Sequence, residues 1–272
     1  MRLMSGGQVE AAARTLAAEV PVSLTYNGIA HVVMMATPRD IEDFAVGFSL
    51  AEGIVDSAAE ISGVEVREIA PGLLVRVDIP PARQEELIGK RRGLVGQTGC
   101  GICGVTELEQ AIRAVRVVPP PPSLGAQAVF RALEALSSHQ PLNRETGAVH
   151  AAAFADSAGN ILLAREDVGR HNALDKLVGA LAREGRDAAS GFAVMTSRCS
   201  FELVQKCASA GIPALVTVSA PTNLAVDLAR RAGLTLIALA RADSALVFND
   251  PSGLFAHQAA QPPAAPATHP QG

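Results

Sequence analysis

Apolar and polar residues alternate with a period of two over Val22-Ser23-Leu24-Thr25-Tyr26. Asn27-Gly28 follows as a two-residue hairpin turn, so Ile29 to Met35 is predicted as the partner strand. Thr37-Pro38-Arg39-Asp40 then reads as an N-cap, a proline at the first helical position and an acid in the first turn. It predicts a helix running to about Glu52 that Gly53 closes. The alternation returns over Val64 to Ala70 and Leu73 to Ile79, joined through Pro71-Gly72, and residues 82–90 carry a short helical pattern. Residues 1–19 show neither cap nor clear period and are expected to be a loosely held lead-in.

Val117-Val118-Pro119-Pro120-Pro121-Pro122 cannot continue helix or sheet, so an extended spacer is expected before a helix at about 125–138. From Gly147 onward strands are predicted at 149–155, 161–165, 191–196, 213–218 and 234–240, with helices at 172–184, 200–210 and 222–232 between them. This alternation implies an α/β fold with a largely parallel or mixed sheet covered by helices on both faces. Ligands on such sheets sit at the carboxyl ends of strands. Here those ends are the turns near Arg165 to Arg170, Thr196 to Ser200, Ser219 to Asn223 and Arg241 to Ser244. The chain divides into a lead-in (1–19), a small α+β domain (20–118), an α/β domain (119–255) and a Pro/Ala tail (256–272) expected to be disordered.

Hydrophobic residues make up 49% of the 272 positions and charged ones 18%, enough apolar material for a core and too little charge for disorder overall. The net charge of −4 argues against a protein that coats nucleic-acid phosphate. The longest apolar runs stop far short of the roughly 20 residues that cross a bilayer, so no membrane association is expected. No apolar stretch of a secretory signal develops after Met1, and a cytoplasmic location is the default expectation. Aromatic residues are only 3%, so a bound base cannot rest on a broad stacking platform; backbone and charge must do that work.

Four cysteines in a reducing compartment do not suggest a disulfide framework. Arg91 to Gly104 holds two of them among five glycines, as Gly99-Cys100-Gly101-Ile102-Cys103-Gly104, and Thr106 with Glu109 makes a capping box for a helix just after. A thiolate near a helix N-terminus is favoured by the dipole, and glycines let another molecule approach closely. Half a metal site, a dithiol redox pair and a sulfur-carrying cysteine are the three readings of that spacing. Cys199 and Cys207 form no second C-x-x-C; the plain reading is a loop residue and a small core residue.

The stretch Arg165-Glu166-Asp167-Val168-Gly169-Arg170-His171-Asn172-Ala173-Leu174-Asp175-Lys176 places charges of both signs, a His and an Asn at a strand-to-helix junction. Such a charge run is ordinarily a solvated face. At this junction, however, Arg170, Asn172, Asp175 and Lys176 would suit a phosphate or ribose group. Ser197, Arg198 and Ser200 bring hydroxyls and a guanidinium to the next helix start, where capping by Ser200 is the competing explanation, and Asn223 repeats the pattern one unit later. His150 is a candidate ligand or acid, against the commoner core histidine.

Taken together, these motifs resemble the formate dehydrogenase accessory sulfurtransferases, the FdhD family. The resemblance is carried by Thr37 to Ala45 with Glu52 to Val55, the Gly99 to Gly104 loop, Gly147 to Ala152, Arg165 to Lys176, Ser197 to Glu202 and Ser219 to Ala225, in family order over residues 20–245. It implies a cytidine-deaminase-like three-layer α/β/α C-terminal domain. It also implies a sulfurtransferase that accepts persulfide sulfur from a cysteine desulfurase and passes it to the bis-guanine-dinucleotide molybdenum cofactor (Mo-bis-molybdopterin guanine dinucleotide). That cofactor would be bound as cargo before it enters the formate dehydrogenase catalytic subunit. By motif, Cys100 would hold the persulfide with Cys103 assisting, and no resident metal is implied. The family's guanine-nucleotide segment maps onto Leu239, Ala240, Arg241, Ala242, Asp243 and Ser244, with Leu239 standing where family members usually carry Phe. The remaining cofactor-binding candidates are Arg170, His171, Asn172, Asp175, Lys176, Ser197, Arg198, Ser200 and Asn223.

Two other classes stay open. A zinc-dependent deaminase-like hydrolase could draw ligands from Cys100, Cys103 and His150, but deaminases carry a Glu two residues after their ligand His, where this chain has Ala152. A non-catalytic chaperone would only hold the cofactor. Pairing into a homodimer is an expectation from apolar composition alone.

Overall fold

The structure is a computed structural model that describes residues 2–5, 7–92 and 115–256. Cys100, Cys103 and the capping box at Thr106 and Glu109 lie outside the described residues.

Within the lead-in, Arg2–Leu3 (β1) and Val9–Glu10 (β2) pair antiparallel, and the Arg14 guanidinium donates to the Thr146 carbonyl. Val20–Tyr26 (β3) and Ile29–Ala36 (β4) form the first hairpin, Gly63–Ile69 (β5) and Gly72–Asp78 (β6) the second. They join as a four-stranded sheet in the order β4-β3-β6-β5, with β3 and β6 parallel. Ile41–Ala51 (α1) covers one face of this sheet, where Val22, Leu24, Tyr26, Val75 and Val77 meet Ile41, Phe44, Ala45 and Phe48. Burying each of the larger side chains stabilises the unit by roughly 1.5–3 kcal/mol. Pro81–Arg92 (α2) follows β6.

The start of α1 differs from the sequence expectation. Thr37 is not the N-cap: the helix begins at Ile41, and Asp40 holds the cap position in a left-handed conformation (φ 53°) without a side-chain cap bond. The reason is that the polar groups of Thr37 are engaged elsewhere, on the stretch Asp167 to Lys176.

Ala126–Leu136 (α3) and the short Pro141–Thr146 (α4) lead into the second sheet; α4 is an element the pattern did not predict. His150–Asp156 (β7), Ile161–Asp167 (β8), Gly191–Met195 (β9), Ala214–Thr217 (β10), Thr235–Ala238 (β11) and Leu246–Asn249 (β12) pair in the order β12-β11-β10-β9-β7-β8. Strands β9, β10 and β11 are parallel, and β7 runs antiparallel to both β8 and β9. The sheet is therefore mixed, and β8 points the same way as the parallel three.

Strand alternation sorts the core of this unit into two faces. Ala152, Phe154, Ala193, Met195, Leu215 and Leu236 pack on Arg170–Arg183 (α5), Phe201–Ser209 (α6) and Asn223–Ala232 (α7). Ala153, Ala155, Phe192, Val194, Ala214, Val216 and Ile237 pack on α3. Both faces are thus covered, as the α/β pattern predicts. Helix α1 lies against α5, so the two units share a helix–helix seam. A Cβ at Gly47 would collide with the Asp175 carbonyl and one at Gly179 with the Asp43 carbonyl, so only glycine permits this backbone approach. Ion pairs flank the seam: Arg165 and Arg183 both meet Asp43, and Lys206 bridges Asp175 and Glu52.

Candidate functional site

Because β8, β9, β10 and β11 share one direction, their carboxyl ends line up along a single edge, beside the amino end of β7 at His150. His150 stands opposite Asp167 in register. The loops at this edge are joined in sequence by their main chains. Thr196 N–H donates to the Ala151 carbonyl (3.1 Å), Ser219 N–H to Ser197 (3.3 Å), Cys199 N–H to Ala220 (3.2 Å), Leu239 N–H to Ser219 (3.3 Å) and Ala240 N–H to Thr217 (3.1 Å). Such mutual bonding makes an edge that is pre-organised, in keeping with the strand-end rule for ligand sites.

Several of the residues singled out from the sequence meet here. The imidazole Nε2 of His171 lies 2.8 Å from Glu202 Oε2 and 3.3 Å from Ser200 Oγ, and that hydroxyl is 3.4 Å from the same carboxylate oxygen. Hydrogen bonding from His171 holds the Glu202 carboxyl below its ordinary range against the opposing effect of burial, with Arg170 and Lys206 adding to it. Ser200 occupies the N-cap position of α6 but makes no side-chain cap bond; its hydroxyl faces the His171–Glu202 pair instead. Burial pulls His150 below the usual imidazole value, and the nearby charges of Arg170 and His171 lower it further. It is therefore neutral at pH 7 and presents an acceptor nitrogen.

Arg170 opens α5, and its Nε is buried without a hydrogen-bond partner among the described residues. An unpartnered buried guanidinium N–H costs stability unless an external acceptor meets it. Leu239 is held in the left-handed region at φ 52°, a conformation that costs a branched residue about 1–2 kcal/mol and is typical of functional turns. Beyond it Arg241 to Ser244 are exposed, with the Arg241 guanidinium donating to the Val218 carbonyl (2.8 Å) and the Ser244 hydroxyl to Asp243 (3.1 Å). Arg198 and Asn223 are exposed at the same edge, whereas Ser197 is buried with its hydroxyl donating to the Arg198 carbonyl (3.0 Å).

Asn172, Asp175 and Lys176 are placed differently. They are 3%, 1% and 0% exposed and lie at the seam with the smaller unit, because successive residues of a helix turn to different sides. Lys176 Nζ meets Asp167 (2.7 Å), Asn172 donates to the Met35 carbonyl (2.8 Å), and Asp175 takes two bonds from Lys206 (2.8 and 3.0 Å). Burial lowers Lys176 from its ordinary value against the pull of Asp167, and Lys206 sits above its own because Asp175 and Glu52 outweigh its burial. The charge run thus serves two surfaces: Arg170 and His171 at the edge, the other three in the seam.

Sequence reasoning placed Glu202, Asp167 and Glu52 within motifs but gave none of them a role at the site. Glu202 reads as an ordinary acid in a first helical turn. Glu52 gives no signal before its partner Lys206, 154 residues away, is known. Cys199 and Cys207 are both fully buried, and burial pushes the Cys199 thiol up to about 12 and the Cys207 thiol higher still, so both are inert at neutral pH. Among the described residues no group of three or more His, Cys, Asp or Glu is arranged to hold a metal ion, and no helix is long and apolar enough to cross a membrane.

The pattern of the FdhD/NarQ family matches residues 17–255 of this chain. A sulfur carrier protein FdhD of Xanthomonas euvesicatoria is 49% identical over 254 residues, covering 93% of this chain and 90% of the relative. The protein of the same name in Bordetella bronchiseptica is 48% identical over 253 residues, 92% of each chain. In three dimensions the chain is similar to a crystal structure assigned as a formate dehydrogenase accessory protein, from Desulfotalea psychrophila. That likeness has a TM-score of 0.69 and 26% identity, and covers 92% of this chain and 95% of that one.

Proposed function

The chain belongs to the FdhD/NarQ family, and from that membership we propose that it is a sulfur carrier for the maturation of formate dehydrogenase. In this reading it is a sulfurtransferase that works through a persulfide. The Cys100 thiolate attacks the terminal sulfur of a cysteine desulfurase persulfide, a new S–S bond forms on Cys100, and the desulfurase cysteine leaves as a thiolate. Cys103, three residues further along the same glycine-rich loop, assists release of that sulfur. The acceptor is the bis-guanine-dinucleotide molybdenum cofactor, carried as cargo and destined for the catalytic subunit of formate dehydrogenase.

The cargo's guanine dinucleotide would lie along the carboxyl edge of the larger sheet. Arg170, His171, Arg198 and Asn223 offer groups suited to its phosphates and ribose, the Leu239 to Ser244 turn would take the base, and Ser197 and Ser200 would support the adjoining turn. The observation that supports this reading is the buried Arg170 Nε, which lacks a partner among the described residues and would gain one from an anionic ligand. Asn172, Asp175 and Lys176 act in this reading from beneath the edge, by holding α5. A cytoplasmic location, pairing into a homodimer and a cytidine-deaminase-like arrangement of the larger unit belong to the same proposal.

Intact-mass measurement without reductant, after incubation with a cysteine desulfurase and cysteine, tests the carrier role, with peptide mapping and a zinc assay on the same sample. One added sulfur atom on Cys100, absent from a Cys100→Ala variant, is the expected result. Stoichiometric zinc with no added sulfur would instead favour the hydrolase reading.

A further inference from the structure

One residue that couples the two units directly is one the sequence pattern assigns to a helix cap. Thr37 is 1% exposed, and each of its polar groups is engaged with the stretch Asp167 to Lys176 of the other unit. Its N–H donates to Asp167 Oδ2 (3.0 Å), its carbonyl accepts from Lys176 Nζ (2.9 Å), and its hydroxyl oxygen accepts from Val168 N–H (3.2 Å). Asp167, fully buried, completes the lock: it also accepts from Gly169 N–H (2.8 Å), Asn172 Nδ2 (3.1 Å) and Lys176 Nζ (2.7 Å). Asn172 Nδ2 reaches back to the Met35 carbonyl (2.8 Å).

These bonds surround the two residues that precede Arg170 and His171. We infer that Thr37 is a positioning residue for the ligand edge, setting from the smaller unit the turn that presents Arg170 and His171 on the larger one. A turn whose Val168 N–H is held by Thr37, and whose Asp167 carboxylate holds the Thr37 N–H in return, cannot change its path without breaking bonds to the other unit, so occupancy of the edge and order at the end of β4 are coupled. The inference rests on the guanine-nucleotide reading of that edge, and guanosine diphosphate is the probe.

Thr37→Val keeps the side-chain shape and removes only the acceptor for Val168 N–H. GDP binding by calorimetry, well below the melting temperature, should weaken about tenfold, the equivalent of one misdirected hydrogen bond. Thr37→Ser should restore it to within about twofold, since it returns the oxygen. A purely structural role would lower the melting temperature of Thr37→Val and leave its GDP affinity that of the parent, and that result overturns the inference. Amide exchange on the unmodified chain is a second reading that does not depend on the variant folding. GDP should slow exchange over residues 35–40 as well as 166–171, and protection confined to 166–171 would count against Thr37. If the unmodified chain binds no GDP, the nucleotide reading falls and this inference with it; if it binds GDP and Thr37→Val binds it equally, this inference alone falls.

Discussion

Replacing Lys206 by Met should be among the most destabilising single changes at the seam between the two units. Lys206 Nζ lies 2.8 and 3.0 Å from the two carboxylate oxygens of Asp175 and 3.1 Å from Glu52 Oε1. Asp175 is 1% exposed and loses both of these bonds, while Glu52 can turn to solvent. Breaking a buried pair from one side costs about 3–5 kcal/mol, because the remaining charge is uncompensated. For a chain of this size that corresponds to a fall in Tm of roughly 6–20 °C. The loss must depend on pH. Burial already pushes the Asp175 carboxyl up to about 6, against the opposing pull of Lys206. A carboxyl raised in the folded state binds its proton more tightly there than in the unfolded chain, so its contribution is most favourable below its unfolded value and is lost as pH rises through about 6. Without Lys206 the folded value climbs further. The gap between variant and parent should therefore be smaller at pH 5 than at pH 8, by at most about 2.7 kcal/mol, because the parent value lies only two units below pH 8. Adding Asp175→Leu should recover most of the loss, since an apolar pair leaves no buried charge. Urea unfolding followed by circular dichroism at both pH values measures this directly. A loss under about 1 kcal/mol at pH 8, an equal loss at pH 5, or no recovery in the double variant would refute the reasoning.

Gly47→Ala and Gly179→Ala should each destabilise by about 1–3 kcal/mol or prevent folding, because either Cβ meets a backbone carbonyl across the seam; a denaturation midpoint equal to the parent's would contradict that packing. Leu239→Gly should relieve the left-handed strain and match or exceed the parent in thermal stability by up to about 1 kcal/mol, read by scanning calorimetry. Iodoacetamide at pH 8 should leave Cys199 and Cys207 unmodified in the native protein and label both after unfolding, as peptide mass mapping would show.

Pattern reveals strands and helices with one apolar face and short runs that are apolar throughout. β3 to β6 and β8 are legible as the first kind and β7 and β9 to β11, buried on both faces, as the second, with ends within a few residues. What escaped lacks either signature: α4 is six residues long, and β12 leaves Leu246 and Val247 exposed at a sheet edge. The start of α1 was misplaced because Thr37 satisfies the local rule for a cap, and the partners that override it are some 130 residues away. Local propensity cannot register a bond that only the tertiary fold creates.

The same limit explains why the charge run Arg165 to Lys176 was recognisable as a functional stretch but not divisible into its parts. Composition shows that both signs are concentrated at a strand end; helical geometry then sends neighbouring residues in different directions. Arg170 and His171 reach the edge, while Asn172 and Lys176 turn to the end of β4 and Thr37, and Asp175 to Lys206, and the register that decides this depends on Gly179 meeting Asp43 and Gly47 meeting Asp175. Those glycines carry no chemistry, so reading the sequence for chemistry passes over them. Yet they set the depth at which α5 lies, and with it which charges are buried in ion pairs and which are left to meet a ligand. A change that shifts this seam would therefore move the edge without touching it, whereas exposed residues such as Arg198 or Asn223 can be changed without moving the seam.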